Sequence, residues 1–255
     1  MTKRYRKTQK RLNDRINAYL KEQAPDQVHD LRTATRRLLA VIELLPKSVR
    51  TAKRTRKYSE KSRKLISLNA RVRDLDIIIA RAAARTNIPE YAKFAKKLEK
   101  ARKSALKPAL EFASSFEDTK QPTVRGKNLS DTDVRKRFNK IARRLSSRIS
   151  KRLPVVLEDA SNKSELHRLR EDSRMLRYTI QLAGEEKSSK VLPILTAWQE
   201  TLGLIHDSDI VIDYLQHEEE TPEVRDLMRD EQVERVKNYE VFATMAAKSA
   251  ASLAS

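Results

Sequence analysis

Apolar residues along this chain recur at helical spacing. Between Val28 and Leu45, the residues Leu31, Ala34, Leu38, Val41, Ile42 and Leu45 gather on one side of a helical wheel. His29, Arg32 and Arg36 fall opposite, at roughly 0, 300 and 340 degrees for about 100 degrees per residue. One face of the predicted helix is apolar and the other cationic, and taken alone such a face is an ordinary solvated surface. A second stretch, Leu166 to Ala183, repeats the arrangement: His167, Arg170 and Arg174 keep the same spacing, with Leu169, Leu176, Ile180 and Ala183 on the apolar side. Solvation requires charge somewhere, but not one histidine and two arginines at matched offsets in two places. The repeat therefore marks a site, or two half-sites.

The same doubling runs through the rest of the chain. From Lys3 to Leu20, the stripe Tyr5, Leu12, Ile16 and Leu20 lies beside a basic stripe of Arg4, Arg11 and Arg15. At an offset of 133 it returns as Phe138, Leu145, Ile149 and Leu153 beside Arg137, Arg144 and Arg148. The histidine helix returns at an offset of 138, after the helix-start signals Ser161, Asn162 and Ser164. A third helix is predicted from about Lys53 to Ala84 and its counterpart from about Ser188 to Gln216, carrying the acidic pairs Asp74/Asp76 and Asp207/Asp209. Fourth helices are expected from Glu90 to Phe116 and from Glu223 to about Ala251, the second fraying in an Ala/Ser-rich end. Pro122 and Gly126 sit among polar residues between the halves and predict a linker over 118–130. The expected architecture is all-α: two tandem four-helix units, 1–117 and 131–255, related by an internal pseudo-twofold repeat and enclosing a basic groove or pore.

On the third helix, Lys57, Lys61 and Lys64 share one angular sector, which Leu68, Val72, Leu75 and Ile79 continue. Several ammonium groups cannot enter a dry core, so the early turns face water or a counter-anion. Either a hydrated basic groove runs into the core here, or the helix projects beyond its bundle. The matching positions of the second half, Lys190, Ile194 and Ala197, do not repeat the cations.

Composition sharpens the expectation. Among 255 residues, three glycines and eight prolines leave little turn chemistry for hairpins, while Lys, Arg, Glu, Leu and Ala favour helix. Lys and Arg number 55 against 35 Asp and Glu, a formal net charge of +20, so an anionic partner must relieve the self-repulsion or salt must screen it. The absence of cysteine excludes disulfides and thiolate metal sites and fits a reducing compartment. The basic start MTKRYRK is followed by no apolar core of a signal peptide, and no apolar run approaches the roughly 18 residues of a membrane span. A soluble, cytoplasmic protein without membrane contact is expected.

The stretches VHDLR…RR and LHRLR…RMLRY, each followed by an acidic third helix (LNARVRDLDIII and LGLIHDSDIVI), resemble the CHAD family, the conserved histidine α-helical domain. The resemblance covers nearly the whole chain in two tandem copies. It implies a single CHAD domain over 1–255 that binds inorganic polyphosphate without catalysis, through basic residues lining the space between its halves, with a setting that extends to polyphosphate granules. Carried residue by residue, it adds Arg37 and Arg177 to the stripes already named. The chain departs from the family where the first copy has Leu39 opposite Arg177 and the second has Met175 opposite Arg37, so the halves are expected to contribute unequally.

The chemistry of the residues points the same way. A linear phosphate chain carries regular charge and no base edges, which calls for many contacts: Arg as a bidentate fork, Lys as a mobile point charge. His29 and His167, beside arginines, should lose proton affinity and regain it with phosphate; each either senses occupancy or donates a neutral hydrogen bond that fixes packing. Asp74 and Asp207 either orient arginines behind the contact layer or form plain helix–helix salt bridges. The dipeptides His29-Asp30 and His206-Asp207 are a weak phosphohydrolase signal: His167 is followed by Arg168, and the neighbourhood supplies cations rather than metal ligands. No E-x-E-x-K motif of tunnel triphosphatases is present, and neither metal nor cofactor is expected. Nonspecific nucleic-acid binding is the stronger alternative, although aromatics are only 5% of the chain and no groove-reading motif occurs.

Overall fold

The computed structural model describes residues 1–84, 89–117, 119–124, 130–184 and 190–254, and the side chains of 89, 90, 117 and 250–254 are outside that description. The described secondary structure is helical throughout: α1 (Thr2–Lys21), α2 (Pro25–Glu43), α3 (Lys47–Arg50), α4 (Lys53–Ala83), α5 (Pro89–Glu117), α6 (Asp131–Glu158), α7 (Lys163–Ala183), α8 (Leu192–Leu215) and α9 (Pro222–Ala254). Two compact units divide the chain, Met1–Arg137 and Phe138–Ser255, with the boundary inside α6.

In the first unit α4 is the central element, packed on both α2 and α5, while α1 packs on α2 and α5. Its buried positions Leu65, Val72, Leu75 and Ile78 follow the helical period, and the facing Leu31, Leu38 and Val41 of α2 and Leu12 and Ile16 of α1 close the core. Each fully buried Leu or Ile contributes roughly 1.5–3 kcal/mol, so the apolar faces outweigh the unfavourable charge on their reverse sides. In the second unit α8 packs on α7 and α9. Trp198 of α8, fully buried, meets Phe242 of α9 edge-on at 5.5 Å between centroids.

The helix ends show why the chain breaks where it does. Pro25 opens α2 in its first turn, where the missing N–H costs nothing. Of the three start signals before α7, Asn162 is the N-cap, its side chain accepting from the Glu165 amide at 3.1 Å. Gly184 closes the helix in the left-handed conformation, φ 88°. Pro108 and Pro154 stand on exposed faces of α5 and α6, where the carbonyls they leave without a helical donor are open to solvent.

The structure departs from the sequence reading in several places. A one-turn helix, α3, was not expected. The predicted start near Ser188 lies outside the described residues, and α8 begins at Leu192. α9 keeps its helical backbone to Ala254 rather than fading near Ala251. Gly126 also lies outside the described residues, but the first part of the expected linker is packed: Pro122 and Val124 are buried, and the Pro122 carbonyl accepts from Tyr5 Oη at 3.2 Å and Gln9 Nε2 at 3.3 Å. Buried hydroxyl and amide donors on α1 need an acceptor, and this segment supplies it.

Candidate polyanion-binding site

α4 begins in a way that disfavours a helix by itself. Its N-cap is Ala52, with no side-chain cap hydrogen bond, and its first turn contains Lys53 and Arg54 but no acid. Cations beside the positive end of the helix dipole are repelled. They line a recess of about 540 Å³ together with Lys57, Tyr58, Lys61, Thr119 and Lys120. Lys61 Nζ donates to Thr119 Oγ1 at 2.9 Å. The stripe predicted from Lys57 to Lys64 thus divides: Lys57 and Lys61 enter the recess, while Lys64 lies over the Phe112 ring of α5 at 4.9 Å. Beyond it Val72 and Leu75 are buried and Leu68 and Ile79 half-buried, as the angular sector predicts. Lys53 and Arg54 could have been found from the acid-free first turn; Lys120, in the supposed linker, left no local signal.

On α1, Arg4 and Arg11 are exposed, and Arg15 pairs with Asp30 of α2 at 3.1 Å. His29 is exposed, with Thr33 Oγ1 at 3.5 Å from Nε2, while Arg36 and Arg37 are half-buried beside the core. Although the residue is exposed at the surface, partial desolvation of its ring lowers the His29 pKa from its ordinary value, and the charges of Arg73 and Arg36 push in the same direction against Asp30 and Asp26. Arg32 is an anchor as well as a cation: its Nη1 donates to the Ile66 carbonyl on α4 at 2.7 Å. Arg137, expected with the second half, is held in the first unit by Glu43, through Nε to the carbonyl at 2.9 Å and Nη2 to Oε2 at 3.0 Å.

In the second unit Arg144 and Arg148 are exposed on α6, and Arg148 reaches Asp172 at 3.6 Å. Arg152, absent from the sequence reading, lies between Asp172 at 3.0 Å and Glu165 at 3.1 Å. Its i,i+4 spacing from Arg148 was the available signal. Glu171 is 3.6 Å from His167 and 3.7 Å from Arg174, so part of the cationic charge on this face is neutralised internally. Arg170 is half-buried; Arg177 donates through Nε to Gln199 at 2.7 Å and stacks near Tyr178 at 5.0 Å.

The acidic pairs divide within themselves. Asp74 and Asp207 are half-buried and neither is free. Asp76 and Asp209, two residues on, are the buried members. Asp76 accepts from Arg102 Nε of α5, and Arg102 Nη2 donates to the Gln23 carbonyl at 2.6 Å. Asp209 accepts from Arg235 Nε of α9 at 2.6 Å, and Arg235 Nη2 donates to the Ala160 carbonyl at 3.0 Å. Arg102 thus ties α4 to the loop between α1 and α2, and Arg235 ties α8 to the loop between α6 and α7. Burial raises the Asp76 pKa, opposed by Arg102. Among the described residues, no three His, Asp or Glu side chains converge to hold a metal ion, and no helix is long and apolar enough to cross a membrane.

The described fold is all-helical, and in both units exposed cations stand on helices whose opposite faces form the core. The CHAD domain family model matches residues 3–216, and the chain belongs to that family. The match ends at the close of α8, leaving α9 outside it. The crystal structure of the CHAD domain from the plant Ricinus communis is similar at a TM-score of 0.64 and 15% identity, over 94% of this chain and 88% of that one, a likeness of fold. No curated protein matches the chain.

Proposed function

We propose that this protein binds inorganic polyphosphate without turning it over, through the cations of α1 and α2 in one unit and of α6 and α7 in the other. The observation that carries the reading is the division of single helices. Leu12 and Ile16 of α1 are buried while Arg4 and Arg11 stay exposed, and Leu145 and Ile149 of α6 are buried while Arg144 and Arg148 stay exposed. Cations ordered by a rigid core at spacings of one or two helical turns suit a ligand with charge at regular intervals and nothing else to recognise. A net charge of +20 in the free chain favours such a ligand further. One long chain engages cations of both units, so changes in either unit weaken the same binding event. The working location is the cytoplasm, at polyphosphate granules where these form.

The test is calorimetric titration with long-chain polyphosphate at several salt concentrations, in competition with duplex and single-stranded DNA. By analogy with nucleic acids, six to ten phosphate contacts lose roughly 10³- to 10⁵-fold in affinity between about 50 and 200 mM salt. A flat salt response, or DNA displacing polyphosphate at equal phosphate concentration, refutes the reading. Release of orthophosphate in the presence of Mg²⁺ or Mn²⁺ above a protein-free control refutes its non-catalytic part.

A further inference from the structure

The recess at the start of α4 differs in kind from the cationic helix faces. On those faces arginines predominate and are spread along exposed turns. In the recess four lysines and Arg54 converge on one volume, Lys120 reaching it from a different segment of the chain. No carboxylate of the described residues lines it. A volume of about 540 Å³ lies within the range of small-ligand sites, roughly 300–1,000 Å³.

Two further observations favour an anion as its ligand. The first turn of a 31-residue helix is left without a cap or an acid, against the usual placement of negative charge there. Tyr58, which lines the recess and is 1% exposed, carries a buried hydroxyl with no hydrogen-bond partner among the described residues. A buried donor without an acceptor costs about 1–3 kcal/mol, so its presence beside clustered cations favours an oxygen-rich ligand.

We propose that this recess binds the terminal phosphates of an inorganic oligophosphate, as a free short chain or as the end of a long one. A terminal phosphate carries about −1.5 to −2 charges near neutral pH and three free oxygens, whereas each internal unit carries one charge. Clustered lysines suit such a group because an ammonium is a mobile point charge that follows a rotating phosphoryl, while a guanidinium fork is tied to one plane. Tyr58, packed against Phe116 with ring centroids 5.4 Å apart, gives the recess an aromatic wall against which a chain end can rest. The inference shares with the proposed function only the phosphate character of the ligand.

Two probes separate ends from charge: linear tripolyphosphate, which has two ends, and cyclic hexametaphosphate, which has more phosphates and none. Calorimetry of the full chain should show tighter binding of tripolyphosphate than of the ring. Lys53→Ala with Lys57→Ala should weaken tripolyphosphate by about tenfold or more, and Tyr58→Phe by up to about tenfold, from the cost of losing hydrogen bonds to a charged group. Lys100→Ala, an exposed cation elsewhere on α5, should change nothing. Thermal melting of the ligand-free lysine variant should not fall, because the removed charges repel the helix end; a purely structural role would lower it. Equal affinity for ring and linear probe, or a lysine variant within twofold of the parent, overturns the proposal. Long chains capped at both ends distinguish the two sources: a loss of affinity on capping assigns the recess to chain ends, and no loss assigns it to free oligophosphate. If tripolyphosphate binds here while long chains do not bind at all, the recess stands and the proposed function falls.

Discussion

His167 of α7 and His206 of α8 stand against each other with ring centroids 5.2 Å apart. In the first unit, the residue 133 positions before His206 is Arg73, whose permanent charge acts on His29. One unit therefore places a fixed cation beside its histidine, and the other a second imidazole ring. A proton taken up by His29 adds a cation to its face, so polyphosphate affinity is expected to rise as pH falls below the ordinary histidine value of 6.5. The free protein moves oppositely. The folded-state pKa of His29 lies below its ordinary 6.5, so the unfolded chain binds more protons and stability falls as pH drops below that value. His29→Gln should flatten both the stability profile and the affinity profile. Proton uptake on binding, from calorimetry in buffers of different ionisation heat, measures the coupling; its absence refutes it.

The arginine pins should dominate single-residue effects on stability. The Asp76 side chain is fully buried and that of Arg102 is 17% exposed. Arg102→Met leaves a buried carboxylate without its cation and is expected to cost about 3–5 kcal/mol in urea unfolding. Arg102→Met with Asp76→Leu should recover most of that loss, and Arg235→Met should behave like Arg102→Met in the second unit.

Asp172 restrains two arginines of α6. It is expected that Asp172→Asn, which keeps the shape and removes the charge, raises polyphosphate affinity by up to about fivefold, the scale of a partly exposed ion pair. Unfolding stability should fall by roughly 1 kcal/mol through weakened hydrogen bonds to Arg152. Unchanged affinity would mean that Arg148 and Arg152 do not meet the ligand.

Charge reversal should be unequal between the units. Arg32→Glu with Arg36→Glu is expected to weaken long-chain binding more than Arg170→Glu with Arg174→Glu, because the first unit also carries Lys57, Lys61 and Lys64, where the second has Lys190, Ile194 and Ala197. Arg32→Glu also breaks the bond to Ile66, so Arg32→Gln is the necessary companion: it separates lost charge from lost anchoring when both affinity and unfolding are measured.

The helices were legible from the chain alone because burial at a period of 3.6 is a local signal. Leu31, Leu38 and Val41, or Leu169 and Leu176, can be buried together only on one side of a helix, and α4 begins at Lys53 as predicted. The same pattern put Arg4, Arg11, Arg144 and Arg148 on accessible faces. Which cations meet one another was not legible, because that depends on contacts between segments far apart in sequence. Lys120 joins Lys57 only because the polar segment after α5 packs on α1 through Pro122. Asp76 rather than Asp74 receives Arg102 because residues two apart on a helix point about 200 degrees apart, and the packing of α5 decides which of them is buried. Arg137 turns to Glu43 although its own helix continues into the second unit. Local periodicity determines which face of each helix is wet; the docking of one helix on another determines which charges on that face are already paired and which remain for a ligand.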